Sequence, residues 1–144
     1  MQRAVAARGA PSAGRLRQWA RAARGRGNGE ITLRIVGPAE SRALNRRYRK
    51  KDKPTNVLSF PYDDPAPDRK RVLGDVVICA AVVAREAREQ GKRPAAHWAH
   101  MVVHGVLHLR GYDHNRAADA KVMEARERAI LAGLSFPDPY RPIA

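Results

Sequence analysis

Apolar and polar residues follow one another in this chain in patterns that predict most of its secondary structure. Near the start, four apolar side chains between Leu16 and Ala23 share one helical face, as in a helix packed on a core. We therefore predict an amphipathic helix that begins at Pro11–Ser12 and ends at the glycines of segment 25–29. A cleaved organellar presequence is the alternative interpretation of this arginine-rich segment.

Three further apolar segments have the pattern of strands. Residues 31–36 alternate between apolar and polar side chains, as in a half-buried strand, and a short strand is predicted at residues 57–60. Residues 72–80 are a continuous apolar run, interrupted at Gly74 and Asp75, which is typical of a central strand covered on both faces. Residues 61–71, rich in proline and charge, are predicted to be a surface loop. Further helices are predicted at 38–48, 81–90, 94–109 and 118–132.

This order, with strands early and helices late, favours an α+β fold. The chain of 144 residues fits a single domain, and it contains no internal repeat or linker. We expect one domain over 1–144 with one small mixed sheet of about four strands, flanked by about five helices. Residues 1–11 are expected to be loosely ordered or to lie at an edge.

Composition excludes several classes of protein. The single cysteine, Cys79, excludes an intramolecular disulfide framework and a cysteine-cluster zinc site, and it suits a reducing, cytosolic setting. No apolar run approaches the roughly 20 residues that a membrane-spanning helix needs.

Positive charge is concentrated in the first part of the chain. The net charge is +14, of which residues 1–53 contribute +12 from 15 basic and three acidic residues. This asymmetry favours a polyanionic partner, such as nucleic acid or an anionic surface. A solvated arginine-rich surface is the alternative, and charge alone selects no reaction.

Histidines on the predicted helix 94–109 indicate a metal site. His104 and His108 are four residues apart and therefore lie on one helical face. Gly111 follows as a left-handed cap that can return His114 to the same ion. The frame His-x3-His-x2-Gly-x2-His equals that of the metzincins, so we predict a zincin-like metal helix. Three nitrogen ligands leave a fourth zinc position for water, as in catalytic sites.

The other positions on this helix limit the possible chemistry. His100 is too far from His108 to share an ion with it, so it is expected to pack or to support a ligand, and His97 is expected to be exposed. Gly105 stands where zinc peptidases carry their general-base glutamate, which argues against peptide hydrolysis. Phosphodiester cleavage depends less on that glutamate, because a metal and a cation can together neutralise the developing charge.

The cation is predicted to come from the basic segment 48–60. Arg49, Lys51 and Lys53 precede a Pro-Thr-Asn turn, and arginine and lysine are suited to hold phosphate. Tyr48 and Phe60 are expected to belong to the core rather than to stack on bases. A solvated charge run remains the alternative for this whole basic cluster.

Two segments resemble signatures of the YbeY family, which comprises zinc-dependent endoribonucleases of ribosomal RNA maturation. They are His104-Gly-Val-Leu-His-Leu-Arg-Gly-Tyr-Asp-His114 and the segment from Tyr48 to Pro61, and residues 73–78 are similar to a third family segment. The resemblance implies a small mixed sheet flanked by helices, with one Zn²⁺ held by His104, His108 and His114. It also implies that Arg49 acts in catalysis or RNA binding, with Lys51 in the same basic motif.

We therefore hypothesise a single-strand-specific endoribonuclease that acts in 16S rRNA 3′-end maturation and ribosome quality control, in the cytoplasm. Its catalytic residues would be Arg49 and His114, and Arg49, Lys51 and Lys53 would bind RNA. The expected partners are single-stranded or precursor rRNA, the small ribosomal subunit and its assembly factors, and no membrane. A non-catalytic, zinc-stapled rRNA-binding assembly factor is the alternative, and a zinc peptidase is disfavoured by Gly105.

Overall fold

The computed structural model of the protein describes residues 2–3, 9–26, 29–62 and 72–141. The predicted loop at 61–71 falls almost entirely outside the described residues, and so do residues 1 and 4–8 of the N-terminal segment.

Among the described residues, the helices lie close to their predicted positions. The first begins where the Ser12 hydroxyl accepts a hydrogen bond from the Arg15 amide at 3.3 Å, as expected of a helix N-cap. None of these helices is long and apolar enough to cross a membrane. The helices are α1 (Ala13–Arg24), α2 (Pro38–Arg49), α3 (Ala80–Glu89), α4 (Pro94–Leu109) and α5 (Ala117–Gly133).

The strands form one mixed sheet, which confirms the predicted fold class. The strands are β1 (Gln2–Arg3), β2 (Glu30–Val36), β3 (Val57–Pro61) and β4 (Val72–Cys79). They lie in the order β1-β2-β4-β3, where β1, β2 and β4 run parallel and β3 pairs antiparallel with β4. The two-residue strand β1 was not predicted, since two residues carry no detectable periodicity.

Alternate side chains of β4 enter two apolar clusters on opposite faces of the sheet. Val76 and Ile78 belong to the larger cluster, which also contains buried residues of α1, α4 and α5. Val77 and Cys79 belong to a smaller cluster, against which Leu44 of α2 packs. A central strand covered on both faces was the prediction for this segment, and it is confirmed.

The central helix of the larger cluster is α4. Its middle is buried all round, with Val102, Val103 and Val106 fully inaccessible to solvent, because α1, α3, α5 and the sheet all contact it. Only near its C-terminal end do His104 and His108 become partly accessible. Rigid packing of α4 therefore determines where these two histidines lie.

Two expectations about exposure are wrong. His97 is 3% exposed, because α3 supplies a partner for it: Glu86 Oε1 lies 2.9 Å from His97 Nε2. Tyr48 is 55% exposed rather than in the core. It lies at the end of α2 and contacts the edge of Phe60, with 5.0 Å between ring centroids, while Phe60 itself is partly buried on the smaller cluster.

Candidate metal centre

The structure brings His104, His108 and His114 together. The ring centroids of His104 and His108 are 4.7 Å apart, and that of His114 lies 4.9 Å from His108 and 5.3 Å from His104. One nitrogen of each ring lies within 4.8 Å of one nitrogen of each of the others. Nε2 of His108 and Nδ1 of His114 face each other at 3.0 Å. Three imidazole nitrogens thus converge as ligands of one ion must.

The turn after α4 delivers the third histidine. Gly111 has φ of +96°, a backbone conformation that glycine adopts without steric cost, as the sequence predicted. Asp113 then accepts hydrogen bonds from the amides of His114, at 2.7 Å, and Asn115, at 3.3 Å. These amides, His114 first, lower the pKa of Asp113. Asp113 therefore stabilises the turn that carries His114.

The ligand types of the cluster, and the pKa of His108, suit a cation. Burial, and secondarily the neighbouring His104 and His114, lower the pKa of His108 to about 4, so its ring is neutral at physiological pH. Imidazole nitrogens, which all three residues offer, are a donor set for zinc, nickel or copper. The residues present therefore fit a single divalent metal ion.

A second group near His104 also contains possible metal ligands. His100, His104 and Glu127 of α5 have ligand atoms within 4.8 Å of one another. However, Glu127 is fully buried, and its carboxylate already accepts hydrogen bonds from His100, at 2.5 Å, and Tyr140, at 2.9 Å. All three histidines of the triad line an open cleft, whereas of the second group only the shared His104 does, and the triad is the better candidate for a metal that meets a substrate.

Glu127 was not predicted from the sequence. Burial alone would raise its pKa, but hydrogen bonds and charge from His100 and His104 outweigh burial and lower the pKa of Glu127 to about 2. Its position offered a signal: it lies between Met123 and Leu131 at helical spacing of four, and both are buried. A carboxylate in the middle of an apolar helical stripe indicates a buried partner.

The triad lies in a cleft of about 750 Å³. One wall is β3 and the other is the end of α4 with the following turn. The Ser59 hydroxyl donates to the Gly105 carbonyl at 2.8 Å, which ties the two walls together. A cleft of this size, with few charged side chains near the histidines, can admit an extended polymer segment.

The structure separates the predicted basic residues. Arg49, at the end of α2, lines the same cleft as the histidines. Lys51 and Lys53 are exposed on the following loop, beyond the residues that line it. That loop is held on α2, because the Asn45 side chain donates to the Lys53 carbonyl at 2.8 Å, and the Ser41 hydroxyl exchanges hydrogen bonds with the Thr55 backbone.

Comparisons with known proteins agree with this arrangement. The sequence model of the family described as endoribonuclease YbeY matches residues 13–135. Endoribonuclease YbeY of Halorhodospira halophila is 59% identical over 143 residues, covering 95% of this chain and 92% of the relative. That of Methylococcus capsulatus is 56% identical over 133 residues, covering 92% and 89%.

A solved structure shares the fold. The solution structure of TM1509 from Thermotoga maritima superimposes with a TM-score of 0.53 at 25% sequence identity. The match covers 89% of this chain and 87% of that one.

Proposed function

This chain belongs to the YbeY family of endoribonucleases, and on that basis we propose that it cleaves single-stranded RNA with one zinc ion held by His104, His108 and His114. The observation that carries the proposal is the convergence of three imidazole nitrogens in a cleft that Arg49 also lines. When bound, the ion supplies Lewis acidity toward a phosphodiester and lowers the pKa of a water molecule.

The side chains around the triad suit an RNA strand. Arg49 presents a planar, permanently charged guanidinium that can hold a phosphate through two parallel hydrogen bonds. Tyr48, exposed beside it and also lining the cleft, offers a ring face on which an unpaired base can stack. We assign Lys51 and Lys53 to the path of the strand outside the cleft, where they act as point charges on the backbone.

The arrangement of ligands favours catalysis over a purely structural metal. All three histidines come from α4 and the turn that follows it, so the ion joins no two distant elements. The apolar cluster around α4 is built from side chains of α1, α4, α5 and the sheet. A zinc-stapled assembly factor would instead be expected to use ligands from separate elements.

A peptidase is disfavoured by the surroundings of Gly105. A Cβ at this position would lie 2.6 Å from Val76 Cγ1 and 3.2 Å from Val57 Cγ2. The site of the missing general base thus faces the sheet, and a glutamate there would clash with β4.

For the biological substrate, we propose precursor rRNA of the small ribosomal subunit, cleaved in the cytoplasm at the 16S 3′ end, with the subunit and its assembly factors as partners. Membership of the family supports this assignment. A cleavage map of precursor rRNA would test it, and cuts scattered without preference for the 3′ end would contradict it.

The test of the activity compares His114→Ala and Arg49→Ala with the unmodified protein on a single-stranded RNA. His114 is an exposed turn residue, so its removal is expected to abolish cleavage without unfolding the domain. Arg49→Ala is expected to lower cleavage by about 10²-fold or more, as for loss of a charge-stabilising donor. Arg46→Ala, on the same helix but outside the cleft, is the matched control. Full activity in His114→Ala would refute the proposal.

A further inference from the structure

A buried carboxylate connects the candidate metal centre to α5. Glu127 is 0% exposed, and its Oε1 is the carboxylate oxygen that faces Nδ1 of His104, at 3.5 Å. Its Oε2 lies 2.5 Å from Nε2 of His100. Burying a carboxylate is unfavourable unless hydrogen-bond donors surround it, so this residue and its donors form one unit.

The C-terminal segment completes that unit. The Tyr140 hydroxyl donates to Glu127 at 2.9 Å from Oε1 and 3.1 Å from Oε2. Tyr140 is itself held in place, because its amide donates to Asp138 at 2.9 Å and Asp138 pairs with Arg128 of α5 at 3.2 Å. His100 and Tyr140 therefore approach the carboxylate from two different elements.

The contact between Glu127 and His104 affects which nitrogen of the His104 ring carries the proton. A neutral ring carries its proton on one nitrogen, and only the other nitrogen can bind a metal. A carboxylate facing Nδ1 favours the tautomer in which Nδ1 is protonated, and this leaves the Nε2 lone pair for the ion. The same contact also restricts rotation of the ring.

We propose that Glu127 is a positioning residue of the metal centre, which keeps His104 protonated at Nδ1 and directs Nε2 to the ion, while His100 and Tyr140 hold the carboxylate. The proposal rests on the proposed metal site and is independent of the RNA chemistry. It makes the C-terminal segment a part of the metal centre, although that segment supplies no ligand.

The first measurement is zinc affinity, by competition with a chromophoric chelator. Glu127→Gln keeps the shape of the side chain and removes its charge, and we expect zinc to bind about 10- to 100-fold more weakly. Glu89→Gln is the matched control, since Glu89 is an exposed carboxylate of α3 whose ion-pair partner, Arg85 at 3.7 Å, takes no part in the Glu127 unit. The control is expected to bind zinc like the unmodified protein.

The second measurement is the tautomer of His104 in the metal-free protein, by ¹⁵N NMR of the imidazole near neutral pH. The unmodified protein is expected to show the form protonated at Nδ1, and Glu127→Gln a mixture of both tautomers. A defect of packing alone would not change this signal. The proposal requires both changes, and either one without the other overturns it.

If circular dichroism shows that Glu127→Gln does not fold, a variant of Tyr140 tests the proposal in its place. Tyr140→Phe removes only the hydroxyl and is expected to weaken zinc binding several-fold, whereas unchanged affinity would overturn the proposal. Tyr62→Phe, which removes a hydroxyl bonded to Asp75, is its control.

The zinc measurements also distinguish failure of the two proposals. If the unmodified protein binds no zinc, the proposed metal site itself fails. If it binds zinc and the variants bind equally well, only the role of Glu127 fails.

Discussion

At the scale of single residues, Gly105 sets how closely α4 approaches the sheet. Its Cα faces Val76 of β4 and Ser59 of β3, and a Cβ there would meet both within 3.3 Å. The same close approach lets the Ser59 hydroxyl reach the Gly105 carbonyl. The glycine therefore places His104 at the floor of the cleft, one residue away.

We expect Gly105→Ala to destabilise the protein by about 1–3 kcal/mol, because the added methyl group overpacks this contact. Gly133→Ala is the control: it lies at the end of α5, where an added Cβ would meet no atom of the described residues within 4 Å, and it should be neutral or slightly stabilising. Urea unfolding of both variants measures the difference. Equal stability of the two would contradict the close approach.

The sequence predicts the arrangement of some residues of the candidate site but not of others. His104, His108 and Gly111 are related by helical spacing and a local turn, so their arrangement follows from positions close in the chain. Glu127 reaches His104 only because α5 packs on α4. Contacts between distant segments depend on the tertiary structure, and a single sequence does not reveal them.

At the scale of elements, Glu86 connects α3 to α4 and to the residue that precedes β3. Its carboxylate on α3 accepts a hydrogen bond from Asn56 at the start of β3, at 3.0 Å, and faces His97 of α4 at 2.9 Å. Asn56 lines the cleft. The contact between α3 and α4 thereby supports one wall of the candidate site.

This link predicts a pH dependence of stability. Burial lowers the pKa of His97, although Glu86 opposes the shift, so the folded protein keeps His97 neutral where the unfolded chain is already protonated. The free energy of unfolding should therefore fall as pH decreases below about 6.5, the ordinary histidine value. His97→Asn should reduce this slope in denaturant titrations of the metal-free protein. An unchanged slope would show that His97 does not contribute.

The predicted exposure of His97 and the predicted burial of Tyr48 are wrong because both depend on how neighbouring elements pack. Helical periodicity located both helices correctly, but it does not report which partner packs on a given face. Glu86 makes burial of His97 favourable. Conversely, Tyr48 projects at the end of α2, where Arg47 and Phe60 contact it but do not cover it.

At the scale of the whole molecule, the proposed metal site lies outside the main apolar core. The larger apolar cluster joins α1, α4, α5 and the sheet, whereas the histidine triad lies at the edge of this core. Folding should therefore precede metal binding, and it should not require the ion.

Removal of the metal with a chelator is expected to abolish RNA cleavage and to leave the far-ultraviolet circular dichroism spectrum unchanged. Zinc at about one hundred times its dissociation constant should then stabilise the protein by about 2.7 kcal/mol, because the ion binds only the folded state. Thermal unfolding with and without zinc measures this. Loss of secondary structure on chelation would instead indicate a structural metal.

The net charge of +14 predicts that RNA affinity falls steeply with salt. Each phosphate that a basic residue neutralises contributes about 0.7 to the logarithmic slope for a single strand. Arg49→Ala should reduce the slope by about that amount, and Arg46→Ala should reduce it less. Filter binding over a salt series tests this, and binding that does not respond to salt would exclude an electrostatic contact.

The single cysteine can report local opening of the folded protein. Cys79 is 1% exposed, in the smaller apolar cluster at the end of β4, so a thiol reagent reaches it only when this side of the sheet opens. Where opening and closing are fast, the labelling rate divided by that of a free thiol equals the fraction of open molecules. Reaction of this one side chain thus measures the fraction of molecules in which the smaller cluster is open, without any introduced cysteine.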